Sequence, residues 1–174
     1  IVLIENNELT SIKPFPPKKV RPCVFEYIYF ARPDSLIGGK TAYEHRKNIG
    51  KELAKENNTD ADIVVPVPDS GNAAALGFAQ HLKINFEHGL IRNHYVGRTF
   101  IEPSQKIRSL GVKLKLNANK TTIKNKKIIL IDDSLVRGTT SYKIVKMLYD
   151  AGAKEVHVKI ACPEIRYPDF YGVD

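Results

Sequence analysis

The 174-residue chain is 43% hydrophobic, enough for one substantial core and a single main domain. It has no apolar run of about 18 residues and no secretory leader pattern, which sets aside membrane-spanning and exported classes and makes the cytoplasm the expected location. Its formal charge of +8 asks for an anionic partner or a solvated basic surface, and with no zinc finger, RNP-like strand or other reading module, nucleic acid is not that partner.

In chain order, Ile1–Ile4 and Leu9–Ile12 are short apolar runs about a polar turn, which predicts a hairpin. Lys13–Arg21 carries three prolines among basic residues and reads as a linker. Cys23 and Cys162 stand at no metal-like spacing and are expected as free, buried thiols of a reducing compartment. Val24–Phe30 alternates aromatic and aliphatic residues and is expected as a strand, ending in a proline-set turn at Ala31–Ser35. Thr41–Lys55 is a helix with Tyr43, Ile49 and Leu53 on its inner side and Asn57–Asn58 as its stop.

Ile63–Val67 is a buried strand that runs through Pro68-Asp-Ser-Gly71 into an alanine-rich helix from Asn72 to about Lys83. Phe86–Ile91 is expected as a further strand, followed by the basic stretch Arg92–Lys127, which holds much of the excess charge. Ile128–Ile131 is wholly apolar, as a parallel strand covered on both faces can be. Asp132 and Asp133 stand at its carboxyl end, then a loop with Gly138, Thr139 and Thr140, then a helix from about Ser141 to Ala151 capped by Gly152. Val156–Ala161 returns to the sheet. Strands alternating with helices predict an α/β fold with a parallel, doubly wound sheet.

Two strand–loop–helix junctions thus offer free helix N–H groups to anions, at Pro68–Gly71 and at Asp132–Thr140. Paired acids beside a phosphate site repel the ligand unless they address hydroxyls or a metal. A ribose phosphate with Mg²⁺ meets all of these demands. The bland alternatives are an ordinary turn with Asp69 as helix cap, and a solvated acidic turn at Asp132–Asp133.

The segment "IDDSLVRGTT" (Ile131–Thr140) resembles the phosphoribosyl-pyrophosphate (PRPP) signature of type I phosphoribosyltransferases. With "FEYIYFARPDS" (Phe25–Ser35), "VPVPDSG" (Val65–Gly71), "RNHYVGRTFI" (Arg92–Ile101) and "KLNAN" (Lys115–Asn119), in this order and spacing, the chain is similar to glutamine amidophosphoribosyltransferases from about Val20 to Asp174. The resemblance implies the type I phosphoribosyltransferase fold, a mostly parallel sheet flanked by helices with a flexible lid. It implies that residues 1–12 are the last hairpin of an N-terminal glutaminase domain not contained in this sequence. Residues 13–22 are then a linker, and residues 23–174 a transferase domain that lacks the family's last helices.

Carried over residue by residue, the resemblance assigns Asp132 and Asp133 to the ribose hydroxyls and, with Ser70, to Mg²⁺. Ser134, Val136, Gly138, Thr139 and Thr140 surround the 5′-phosphate, with Arg137 pointing either at the phosphate or at solvent; Asp69, Ser70 and Gly71 face pyrophosphate. Arg92, Tyr95, Arg98 and Lys115 belong to the lid and act in catalysis, while His94 is a bystander. Some members hold an iron–sulfur cluster, but Asp169 stands where they place a ligand, so none is expected despite Cys23. The implied partners are PRPP, ammonia from glutamine, purine nucleotides as feedback inhibitors, and copies of the chain in a homotetramer. The implied reaction is displacement of pyrophosphate by ammonia to give phosphoribosylamine, the first step of purine synthesis. Two rivals share the phosphate cradle: a salvage transferase taking a purine or pyrimidine base, and a PRPP-sensing regulator.

Overall fold

The computed structural model describes residues 1–56, 59–94, 115–164, 166 and 167. The expected helix stop at Asn57–Asn58 lies outside them. Strands β1 (Val2–Glu5) and β2 (Glu8–Ser11) pair antiparallel from Val2↔Ser11 to Glu5↔Glu8. Their turn places Asn6 and Asn7 at φ 51° and 63°, the left-handed region a two-residue hairpin requires and asparagine tolerates. Every residue of the hairpin and of residues 13–22 is exposed.

The segment expected as a strand at Val24–Phe30 is instead helical, with Glu26–Phe30 forming a π-helical turn. Ala31 N–H donates to Glu26 O at 3.3 Å, and Ile28 is its buried residue. The side-chain alternation was compatible with a strand, but a distant cation decides the backbone. Arg46 donates from Nε to Tyr27 O at 3.0 Å and from Nη2 to Ala31 O at 2.7 Å, satisfying carbonyls that a helix end leaves open. Cys23, expected buried, is exposed in this leading segment; both cysteines are free.

A small hairpin, β3 (Leu36–Ile37) with β4 (Lys40–Thr41), leads into α1 (Ala42–Lys55). Thr41 and Glu44 form a reciprocal capping box: Thr41 Oγ1 accepts from Glu44 N–H at 3.2 Å while the Glu44 carboxylate accepts from Thr41 N–H at 3.0 Å. The buried stripe of α1 is Ala42, Arg46, Gly50 and Ala54, one position away from the expected Tyr43, which is exposed. Close packing on α2 (Asn72–Leu82) explains the displacement, because small residues face the crossing. A Cβ on Gly50 would lie 1.9 Å from Ala74 O, and one on Gly77 would lie 1.9 Å from Lys47 O. Bulky side chains are therefore turned away from the line of contact.

Strand β5 (Ile63–Pro66) lies beside β9 (Lys127–Asp132) in a parallel four-stranded sheet ordered β10-β9-β5-β6, with edges β6 (Asn85–Phe86) and β10 (Glu155–Ile160). The two central strands divide their side chains by strict alternation. Ile63, Val65, Ile128 and Leu130 join Ile144 and Leu148 of α4 (Thr139–Asp150) on one face. Val64, Ile129 and Ile131 join Ala74, Ala75 and Phe78 of α2 on the other.

From β5 the chain passes through α2 to β6 on one side, then returns to β9 on the opposite side and continues through α4 to β10. Strand order therefore reverses between β5 and β9, and ligands of open α/β sheets bind beyond the carboxyl ends at such a point. The expected single strand Phe86–Ile91 is two strands. The chain leaves the sheet after β6 and enters an antiparallel ribbon of β7 (Leu90–Arg92) and β8 (Leu116–Ala118). Gly89 marks the exit, where a Cβ would meet the Val65 side chain at 2.8 Å. A short helix α3 (Lys120–Ile123) then leads back to β9.

Candidate active site at the carboxyl ends of β5 and β9

The loop after β5 is pinned to β9 by its backbone. Val67 N–H donates to Ile131 O at 2.8 Å, and Gly71 N–H to Val67 O at 2.9 Å. A Cβ on Gly71 would lie 2.6 Å from Ile131 O, so glycine is what lets the loop lie against the strand end. The Pro68–Asp69 peptide is cis. Gly71, not Asp69, occupies the N-cap of α2. The Asp69 carboxylate is instead bridged to the Arg92 guanidinium from the end of β7. Arg92 Nε and Asn72 Oδ1 are buried without a hydrogen-bond partner among the described residues, so the loop is flanked by one spare donor and one spare acceptor.

The loop after β9 starts with the acid pair, whose backbone is held on the other side. Ala161 N–H donates to Asp132 O at 2.9 Å and Cys162 N–H to Asp133 O at 2.8 Å. Asp132 Oδ1 accepts from Asp133 N–H at 2.9 Å, and Asp133 Oδ1 accepts from the Ser134 hydroxyl at 2.5 Å. Asp133 is only 7% exposed. Burial first, and repulsion from Asp133 second, push the Asp132 carboxyl up to about 7. A buried acid pair with one carboxyl raised at a strand end is a candidate functional site.

Leu135, Val136 and Arg137 are exposed on the loop that follows, as are Thr139 and Thr140 at its end. The helix begins at Thr139 rather than near Ser141, because Gly138 at φ 69° turns the chain directly into the first turn of α4. Both helix N-termini, of α2 and α4, therefore open at the same end of the same two neighbouring strands.

Among the sequence-derived candidates, the structure assembles Asp69, Ser70, Gly71, Asp132, Asp133, Ser134 and Gly138 on these two loops. Arg92 and Lys115 flank the open end of the β7–β8 ribbon, where Asn93 N–H donates to Lys115 O at 2.8 Å. Tyr95, Arg98 and the rest of the expected lid lie outside the described residues, as does Asp169. His94 is exposed. Arg46, not among the sequence-derived candidates, is 7% exposed and shares a cavity with Ile28, Ile49, Ser70, Ala74, Asp133 and Ala161. Its sequence signal was faint, a cation on a helix whose other charges face solvent.

The side chains that could hold a metal here, Asp132, Asp133 and Ser70, offer only oxygen, which suits a hard cation such as Mg²⁺ and not a soft transition metal. No cluster of three or more His, Cys, Asp or Glu occurs among the described residues.

A family model for the phosphoribosyl transferase domain matches residues 40–166, from β4 past the end of β10. The chain belongs to the phosphoribosyl transferase domain family. It is 62% identical over 162 residues to the amidophosphoribosyltransferase of Rhizobium etli, covering 93% of this chain and 33% of that protein. It is 57% identical over 152 residues to that of Methanocaldococcus jannaschii, covering 87% and 32%. Among solved structures it is similar to the glutamine PRPP amidotransferase from B. subtilis complexed with ADP and GMP. That match has a TM-score of 0.82 and 49% identity, over 98% of this chain and 38% of the other. The chain thus spans about a third of the length of the curated relatives it matches. In this phosphoribosyl transferase domain, both candidate loops fall inside the matched residues. No helix among the described residues is long and apolar enough to cross a membrane.

Proposed function

We propose that this chain is the phosphoribosyl-transferring part of an amidophosphoribosyltransferase, taking PRPP with Mg²⁺ and ammonia to phosphoribosylamine and pyrophosphate. The observation that carries this reading is the convergence of the Pro68–Gly71 and Asp132–Thr140 loops at the strand-order reversal between β5 and β9. Family membership and the printed identities of the relatives support it. In this reading the amides of Ser134–Thr140 and the Thr139 and Thr140 hydroxyls take the 5′-phosphate at the N-terminus of α4. Asp132 and Asp133 accept from the ribose hydroxyls, and with Ser70 they would hold Mg²⁺, which neutralises pyrophosphate charge when bound.

The Asp69 and Ser70 amides face pyrophosphate, and Arg92 and Lys115 bring cationic charge to the same end. The ammonia lone pair forms the C1–N bond as the C1–O bond breaks, with inversion. Pyrophosphate leaves with the bonding electrons, and the new ammonium group gives its proton to solvent. Ammonia is a nucleophile without a base, so positioning and charge neutralisation supply the rate. A glutaminase domain outside this sequence would generate the ammonia, with residues 1–12 as its last hairpin and residues 13–22 as the connection. Purine nucleotides would inhibit, and the assembly would be a homotetramer.

Pyrophosphate release from PRPP tests this directly. Release is expected with ammonium and not with adenine, hypoxanthine or orotate. Release with a base instead of ammonium would make the chain a salvage transferase, and PRPP binding without release would make it a sensor.

A further inference from the structure

Arg46 and Asp133 are the two charged side chains in the buried set of the described residues, each 7% exposed, and they line one cavity together with Ser70. They come from elements far apart in the sequence, the middle of α1 and the tip of β9. The guanidinium of Arg46 donates to Tyr27 O, Glu26 O and Ala31 O at 3.0, 3.5 and 2.7 Å. Those carbonyls are dipoles with no net charge, and the nearest opposing charge is Asp133 across the shared cavity, without a direct ion pair, with Glu26 as a second contributor. Burial lowers the guanidinium below its ordinary value, and the two acids oppose that shift. The forked donor geometry reaches three carbonyls of one turn, which a lysine ammonium cannot copy.

We propose that Arg46 is a positioning residue for the ligand-binding acid pair, fixing the Glu26–Ala31 turn to α1 while placing a buried cation across the shared cavity from Asp133 and Ser70. The inference rests on the proposed PRPP site and deepens it, because it extends that site to the leading aromatic segment. Arg46 contacts no reacting atom; it acts on Asp133 through its charge across the cavity they share.

The test is a double-mutant cycle in the full-length protein, with Arg46→Gln, Asp133→Asn and the pair. PRPP affinity with Mg²⁺ is read by calorimetry and folding by thermal melting. Arg46→Gln is expected to weaken PRPP binding about tenfold in the wild-type background and only about twofold beside Asp133→Asn, the non-additivity of groups that act through one another. Arg46→Lys, which keeps the charge and loses the fork, is expected to restore part of the affinity. If Arg46→Gln does not fold, the same cycle run with Arg46→Lys shows the same non-additive pattern at smaller size. Equal losses in both backgrounds overturn the inference, leaving Arg46 as a structural cap of the turn. Absence of PRPP binding by the wild-type protein overturns the proposed function, and this inference with it.

Discussion

Asp132 is the residue at which fold and function pull in opposite directions. Its carboxyl, pushed from the ordinary 3.8 to about 7 by burial and by Asp133, binds a proton in the folded chain that the unfolded chain has released. The resulting destabilisation is absent below about 4, grows between about 4 and 7, and is complete above that. Ligand-free protein should therefore melt at lower temperature as pH rises through this window. Asp132→Asn should flatten the profile and be at least as stable as wild type at pH 8, while losing PRPP affinity. A variant less stable at pH 8 would show that the carboxylate supports the fold. Asp69 differs, since its bridge to Arg92 joins side chains 54% and 30% exposed. Asp69→Asn should change unfolding free energy by less than about 1 kcal/mol in denaturant titration, because exposed pairs contribute little. A larger loss would make the bridge structural and not a reserve for anion binding.

Among the elements, the α1–α2 crossing sets how closely the two helices stack behind the Pro68–Gly71 loop. A methyl group at Gly50 or Gly77 meets a backbone carbonyl, which cannot rotate away as a side chain could. Gly50→Ala should destabilise by about 1–3 kcal/mol or more in urea unfolding. The double variant should lose less than the sum, since one substitution already separates the helices; strict additivity would contradict a shared contact. Gly138→Ala provides the contrast. Nothing lies within 4 Å of its would-be Cβ, and the left-handed φ of 69° is the sole obstacle. A cost of about 1–2 kcal/mol is expected, typical of that conformation for an L-residue.

These contacts also show what could be read beforehand. The strands at Ile63 and Ile128 were legible because unbroken branched apolar runs have one home, a sheet covered on both faces. The Glu26–Phe30 turn was not, because its backbone is fixed by Arg46, about twenty residues later in the chain. Of the inner side expected for α1, Leu53 packs against the core and Ile49 is partly buried, while Tyr43 is exposed, because the crossing selects for smallness and hydrophobic periodicity points to bulk.

At the scale of the whole molecule, topology concentrates the chemistry. Two neighbouring parallel strands carry the two candidate loops, one with Asp69 and Ser70 and one with the Asp132–Asp133 pair, and each runs into a helix N-terminus. The reversal of strand order leaves the space between them open, with helices on opposite faces. The site was legible where chemistry and position coincide in a short motif, as in Ile131–Thr140. It was not legible where it depends on distant residues, as with Arg46 in the cavity of Asp133 or Arg92 bridged to Asp69. The most direct measurement is a crystal structure of the protein with PRPP and Mg²⁺. The ribose hydroxyls should lie within hydrogen-bond distance of Asp132 and Asp133, the 5′-phosphate at the N-terminus of α4, and pyrophosphate against Pro68–Gly71. Ligand density anywhere else, with the acid pair untouched, would contradict the account.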